Sequence, residues 1–311
     1  MKKITKDLLI AAPIAVGGAL YSASRLLYSY AFNRSDIVPE PGKDIIGYAN
    51  DYYYYIDWLN EQKHAEHWRL VSKDKKEELN AVWVPAKHHS KFSVLISHGY
   101  KGNGVTMANL AQMYHFMGFN VLLPDSRGHG DTSDPYISFG WLDHYDALAW
   151  LNMMIKRVGP ESKVFVHGVS MGGATALMLA GEDLPPQVKG IIDDCGYSSL
   201  NEELVYLARK VTKLPVEPVR RLMSKINKVR TGFSFDAVSS VKQLKKAKVP
   251  IFVIHGADDD YVPTYMAYQN YNAITTPKKI WIVPNAGHAM AFWVDPREYH
   301  KQVTSFIKST L

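Results

Sequence analysis

The stretch that most limits how this chain can fold is Lys163 to Gly181, KVFVHGVSMGGATALMLAG. Its first half is a short β-branched and aromatic run of the kind that fills a buried parallel strand. Its second half, from Ala174, is rich in good helix formers. A strand therefore runs straight into a helix. Between them lies Gly168-Val169-Ser170-Met171-Gly172-Gly173, a match to G-x-S-x-G, whose glycines permit a turn tight enough to hold the serine in a strained, exposed position at the strand's end. Such a pentapeptide occurs often by chance. The strand before it and the helix after it are what single out Ser170 as a candidate nucleophile rather than a capping serine.

The rest of the chain repeats this alternation. Strands are predicted at 92–97, 120–124, 163–167, 188–193, 249–255 and 278–283, with helices at 105–117, 139–157, 263–271 and 296–311. Repeated β-α units require right-handed crossovers and a mostly parallel sheet with helices on both faces, so the fold class is α/β. Two earlier strands, 67–72 and 79–85, joined by a polar turn, suggest an antiparallel edge. The segment 200–248 is too long for a simple crossover and is predicted to be a helical lid over the carboxyl edge of the sheet. The core is then 66–199 together with 249–311. Ahead of it, 35–65 reads as a linker followed by a packing helix at 51–62.

Residues 1–34 form the N-terminal segment. Lys2, Lys3 and Lys6 precede an uncharged run of 17 residues, Leu8 to Ser24, at the short limit for a membrane-spanning helix. The expectation is a single N-terminal membrane anchor with a cytoplasmic N-terminus and the catalytic body outside the cell. A cleaved signal peptide and a helix packed on the body are the alternatives.

With 311 residues, 47% of them hydrophobic and 21% charged, the chain can bury one large core. Its single cysteine, Cys195, excludes an internal disulfide. The net charge of +6 is concentrated: residues 205–250 hold 12 Lys/Arg against 2 Asp/Glu, which leaves −4 for the rest. A basic lid follows from this, either as a solvated surface or as one drawn to anionic membranes. No nucleic-acid-binding motif accompanies the charge, so nucleic acid is not expected as a partner.

Ligands of open parallel sheets gather at the carboxyl ends of the strands. Four clusters fall there: Ser170 itself, 98–103 (HGYKGN), 255–263 (HGADDDYVP) and 285–288 (NAGH). A serine hydroxyl needs a base to take its proton, and the base needs a carboxylate to fix its tautomer. The chain order serine, acid, histidine, each after a strand, is that of the α/β-hydrolase fold.

On G-V-S-M-G-G, D-S-R-G-H-G at 125–130, H-G-A-D-D-D-Y-V-P and A-G-H-A, the sequence resembles an α/β-hydrolase. More narrowly, it is similar to the membrane-anchored bacterial cell-surface hydrolases and serine-aminopeptidase-like esterases, from about Val71 to the C-terminus. The resemblance implies a catalytic triad of Ser170, Asp259 and His288. The neighbouring Asp258 and Asp260, and more distantly Asp193 and Asp194, remain open as the acid. It also implies an oxyanion hole formed by the backbone N–H groups of Tyr100 and Met171. His98, His129 and His255 belong to loop-shaping motifs. His167 precedes the elbow on a buried strand, Cys195 lacks an elbow of its own, and the pairs His64/His67 and His88/His89 read as exposed polar residues.

No cofactor and no metal are implied. The expected activity is cleavage of carboxylic esters of small molecules by a serine hydrolase. Three other readings stay open: an aminopeptidase or amidase, for which the lid offers few acids to anchor an amine; an acyltransferase on the same triad; and a membrane-tethered binding protein on an inactive scaffold.

Overall fold

The computed structural model describes residues 2–34, 49–74, 76–213 and 215–311, the side chains of residues 2–16, 49 and 50 excepted. The predicted linker over 35–48 lies outside the described residues. Eight strands form one sheet in the order β1-β2-β4-β3-β5-β6-β7-β8. They are β1 (Glu66–Val71), β2 (Glu78–Val84), β3 (Phe92–Ser97), β4 (Asn120–Pro124), β5 (Lys163–Val169), β6 (Val188–Asp194), β7 (Ile251–Gly256) and β8 (Lys278–Val283). Strands β1 and β2 pair antiparallel at one edge, and every pairing from β3 to β8 is parallel. This is the α/β-hydrolase fold.

The parallel strands are apolar throughout because both their faces are covered. In β3, Val94 and Ile96 point into one cluster and Leu95 into the other. The first cluster lies beneath α2 (Ala49–Asn60), α3 (Ala108–Phe116), α10 (Ala291–Val294) and α11 (Pro296–Ser309), with Tyr114, Phe292, Tyr299 and Phe306 as its large residues. The second lies beneath α4 (Asp143–Val158), α5 (Met171–Leu179) and α9 (Tyr265–Ala273), around the stacked Trp68 and Trp83 and the buried Trp150.

Element boundaries moved where side chains intervened. The helix expected from 105 begins as a 3-10 turn, Gly104–Met107, because Asn103 and Thr106 form a reciprocal capping box. The helix expected from 139 begins only at Asp143. Phe139 and Gly140 before it have φ of +49° and +81°, and Asp143 is fixed by Ser138 Oγ and the Gly140 N–H.

Between β6 and β7 lie α6 (Leu200–Val211), α7 (Glu217–Thr231), a 3-10 turn at Phe235–Ala237 and α8 (Ser240–Leu244). Helices α6 and α7 are amphipathic, with basic residues in their last turns. Leu244 and Ala247 are buried in the second cluster, so the return segment belongs to the body of the molecule.

The N-terminal helix α1 runs from Lys2 to Phe32. Among the described residues no helix is long and apolar enough to cross a membrane. The first half of the apolar run expected to form an anchor lies where side chains are not described. The other end of α1 is docked on the body. Tyr28 and Phe32 are fully buried, Tyr28 Oη donates to Asn227 Oδ1 of α7 at 3.0 Å, and the Arg230 guanidinium lies over the Tyr28 ring.

The loop Asp125 to Gly130 is held from below by charge. Arg127, 3% exposed, donates to both carboxylate oxygens of Asp146 at 2.6 and 2.9 Å and also reaches Asp74 and Asp134. Removing one partner from such a buried network strands the others. Arg127→Leu is expected to lower the unfolding free energy by about 3–5 kcal/mol in urea titrations, whereas a loss below about 1 kcal/mol would make the network dispensable.

Candidate active site

The Ser170 turn is forced by what surrounds it. Ser170 has φ +58° and ψ −116°, a conformation that costs energy for any residue with a Cβ. Two glycines make it possible. A Cβ on Gly168 would lie 1.9 Å from the Gly172 carbonyl oxygen, and one on Gly172 would lie 2.1 Å from the Ser97 carbonyl oxygen. The Ser170 N–H donates to the Asp194 carbonyl oxygen at 2.8 Å, tying the turn to the neighbouring strand.

Ser170 is 8% exposed, and its Oγ lies 2.8 Å from His288 Nε2. His288 Nδ1 lies 2.8 Å from Asp259 Oδ2. The loops after β5, β7 and β8 thus bring the three predicted residues into contact in series. Asp259 Oδ1 accepts the N–H groups of Tyr261 and Val262 at 3.0 and 2.9 Å. Oδ2 also lies 3.2 Å from Nε2 of the buried His255, which in turn bonds the Val262 carbonyl at 2.8 Å. Burial pushes the Asp259 carboxyl up, but the bonds from His255 and His288 outweigh it and hold the group well below the usual carboxylate range. Asp259 is therefore an anion across the neutral range. The Tyr261 ring packs against His288 with centroids 4.9 Å apart.

The other acids have separate duties. Asp260 is exposed and pairs with Lys210 at 3.0 Å, and Asp258 is exposed on the same loop. Asp193 Oδ1 accepts the Gly196 N–H at 2.9 Å, and Asp194 Oδ2 accepts the Tyr299 hydroxyl at 2.7 Å.

Tyr100 sits in the loop after β3, beside Ser170: a Cβ on Gly99 would lie 3.4 Å from Ser170 Cβ. Two buried histidines shape that loop. His98 Nδ1 donates to the Gly99 carbonyl at 2.7 Å and its Nε2 accepts the Ser126 N–H at 2.9 Å. His129 Nδ1 donates to the Arg127 carbonyl at 3.0 Å and its Nε2 accepts the Lys101 N–H at 3.0 Å. Both must be neutral to accept there. Burial pushes His98 down, and burial with the neighbouring His98 brings His129 down to about 4. Met171, whose N–H is the second expected donor, opens α5 and is fully buried.

Cys195 lies beside two of these residues, with its Sγ, an Asp259 oxygen and a His288 nitrogen within 4.8 Å of one another. In that trio His288 and Asp259 are already bonded to each other, and burial pushes the thiol well up, so neither a metal nor a cysteine nucleophile fits the donor set. His167 lies between the hydroxyls of Tyr114 and Tyr299, at 2.9 and 3.0 Å. Burial pushes it down to about 3.

The family described as "Serine aminopeptidase, S33" matches residues 88–240, and "PhoPQ-activated pathogenicity-related protein" matches 220–310. The chain has the α/β-hydrolase fold and over residues 88–240 is similar to that serine aminopeptidase family. The chain is 28% identical over 222 residues to an uncharacterised Bacillus subtilis protein, YqkD, with 71% of this chain and 73% of that one covered. To a carboxylesterase of Bacillus subtilis it is 24% identical over 246 residues, covering 70% and 92%. Its fold superposes on the Pyrococcus furiosus esterase Pf2001 with a TM-score of 0.66 at 20% identity, covering 89% and 99%.

One residue near the candidate site escapes sequence reasoning. Glu203 of α6 is 5% exposed, and neither carboxylate oxygen has a hydrogen-bond partner among the described residues. Burial pushes it up to about 8, the Asp259 charge acting in the same direction and Lys210 against it. In the sequence it is one of two adjacent acids on an ordinary amphipathic helix, which carries no signal of enclosure.

The folded carboxyl binds its proton more tightly than the unfolded one, so its contribution to stability is complete below the unfolded value near 4.5 and is lost as pH rises through about 8. Glu203→Gln is expected to raise the melting temperature at pH 8.5 relative to wild type and to leave it nearly unchanged at pH 4.5. A scan showing the same difference at both pH values would remove Glu203 as the titrating group.

Proposed function

We propose that this hydrolase is a serine esterase that cleaves small carboxylic esters through an acyl-enzyme, with Ser170, His288 and Asp259 as its triad. The observation that carries this reading is the unbroken chain from Ser170 Oγ through His288 to Asp259, both links at 2.8 Å. Ser170 Oγ attacks the ester carbonyl carbon as His288 Nε2 takes its proton. The tetrahedral intermediate collapses and the alkoxide leaves with that proton, which breaks the C–O bond and leaves an acyl group on Ser170. Water, giving a proton to His288 Nε2, attacks the acyl carbon. The second intermediate then releases the acid and returns the proton to Ser170. Asp259, held as an anion, keeps the His288 proton on Nδ1 and stabilises the imidazolium. The Tyr100 and Met171 N–H groups receive the oxyanion, each such donor contributing about 3–4 kcal/mol to the barrier reduction.

One observation favours a second reading. A substrate with a free α-amine, as an aminopeptidase takes, carries an ammonium that an acid near the reacting carbonyl would anchor. Glu203 is an enclosed carboxyl without a partner, electrostatically coupled to Asp259, Tyr261 and Tyr265. A group so placed is costly to leave unpaired.

Wild type is expected to turn over p-nitrophenyl esters and to be labelled by a fluorophosphonate. Ser170→Ala should abolish the label and lower kcat by about 10^4–10^6. Folded wild type that takes no label would end the serine-hydrolase reading. If aminoacyl anilides are cleaved with higher kcat/KM than the esters and Glu203→Gln selectively removes that activity, the substrate is an amine-bearing acyl compound instead.

The N-terminal apolar run supports attachment to a membrane, with the basic end of α1 on the cytoplasmic side and the catalytic body outside. Because Tyr28 and Phe32 pack on the body, the informative truncation stops short of them. Full-length protein is expected in the membrane fraction, and a chain lacking residues 2–20 in the soluble fraction with its esterase activity retained. Equal solubility of the two without detergent would refute attachment through this segment.

A further inference from the structure

The two proposed oxyanion donors are supported unequally. The Met171 N–H opens a helix whose start is fixed by the glycine-packed turn. The Tyr100 N–H lies in a loop, one residue before Lys101, whose φ is +61°. His98 and His129 hold that loop from one side. On the other side it leans on a segment far away in sequence, the C-terminal end of α1.

The Tyr100 hydroxyl donates to the Ala31 carbonyl oxygen at 3.0 Å. Its ring stacks on Phe139 at 5.4 Å, Phe139 meets Phe32 at 4.6 Å, and Phe32 lies flat between Tyr28 at 4.8 Å and Phe235 at 4.9 Å. This aromatic column runs without a break from the turn after α7 to the loop beside Ser170. The main chain fastens its middle: Ile137 N–H donates to the Phe32 carbonyl at 2.8 Å, Arg34 N–H donates to the Pro135 carbonyl at 2.9 Å, and the Arg34 guanidinium binds the carbonyls of Gly130 and Thr132. Asn227 receives the Tyr28 hydroxyl and donates to the Phe233 carbonyl at 2.8 Å, which ties the same segment to α7.

We propose that residues 28–34 are a working part of the active site. Through Phe32, Phe139 and Tyr100 they set the position of the Tyr100 N–H, so that stabilisation of the oxyanion depends on the docking of the N-terminal helix. Tyr100 contributes its amide to the reaction, while its side chain and Phe32 act as positioning residues. The inference rests on the esterase reading. It separates from that reading because it concerns the oxyanion donor alone: Ser170, Asp259 and His288 sit on the loops after β5, β7 and β8. An oxyanion donor is effective only when aimed at the developing charge, and displacement by about 1 Å costs on the order of 10²-fold in rate.

The test uses the full chain, wild type beside Tyr100→Phe and Phe32→Ala. It measures kcat and KM for a p-nitrophenyl ester and the inhibition constant of an aryl boronic acid, which forms a tetrahedral adduct on the serine. Tyr100→Phe removes one oxygen, keeping the ring and the amide. It should lower kcat about 3- to 10-fold with KM within twofold. Phe32→Ala opens the column and should lower kcat by about 10- to 100-fold. In both variants the boronate should weaken by the same factor as kcat, a parallel that a merely structural role would not produce. If Phe32→Ala does not fold, Tyr100→Phe decides alone. Folded variants with wild-type kcat, or with losses confined to KM, overturn the proposal. Wild type that neither hydrolyses the ester nor binds the boronate overturns the esterase reading and this inference with it.

Discussion

The close approach of backbone to backbone around Gly168 and Gly172 is the constraint on which the site depends. Without a side chain at either position, the chain turns from β5 into α5 within one residue, and the whole strain of the turn falls on Ser170, with its φ of +58°. That strain persists because the surroundings leave no alternative. The Ser170 N–H is bonded to β6, α5 is buried along its length, and the loop after β3 presses on the other side. A serine hydroxyl placed in this way lies at the carboxyl rim of the sheet, whatever the rest of the chain does. The loops after β7 and β8 need only supply an acid and an imidazole at the right height.

The legible parts of the sequence are those where one local pattern has one structural outcome. Apolar runs such as Val164 to Val166 become doubly covered strands, and the glycine-serine turn becomes an elbow. The likeness to α/β-hydrolases selects Asp259 and His288, and those side chains meet in the structure. Composition is a poorer guide where one property serves two ends. The run from Leu8 to Ser24 reads as a membrane segment because it lacks charge, and that reading masks a second pattern at its C-terminal end. Ser24, Tyr28 and Phe32 recur at helical spacing, and they form the buried face by which α1 docks on the protein.

Charge is similarly ambiguous. The basic lid looks from the sequence like a surface in search of an anionic partner. In the structure Lys210 is engaged with Asp260, Arg220 with Glu217, and Lys248 with Asp183. Arg221 also lies 3.4 Å from Glu217, so part of the excess is taken up by local pairing, while Lys225 and Lys228 line the exposed side of α7. Glu203 inverts the problem: it resembles a solvated helix acid, and enclosure makes it the least comfortable carboxyl of the site. Burial of this kind depends on which face of α6 meets the loop around Tyr261. That is a tertiary fact, with no trace in the spacing of residues 200–211.

The halves of the proposed oxyanion hole illustrate a general property of wound sheets. A residue on a strand-to-helix turn takes its backbone position from the sheet, so the Met171 N–H is set by the turn between β5 and α5, while its side chain packs in one cluster with Phe32 and Phe139. A residue in a rim loop inherits nothing and must be fixed by whatever packs on it. Here His98, His129 and the aromatic column supply that fixation. The column draws on segments more than a hundred residues apart, Tyr28 and Phe32 at one extreme and Phe235 at the other. On the proposed reading, geometry at the rim is consequently sensitive to elements that carry no chemistry. On that reading, changes in α1 or in the turn after α7 would alter turnover while leaving the serine, the imidazole and the carboxylate where they are.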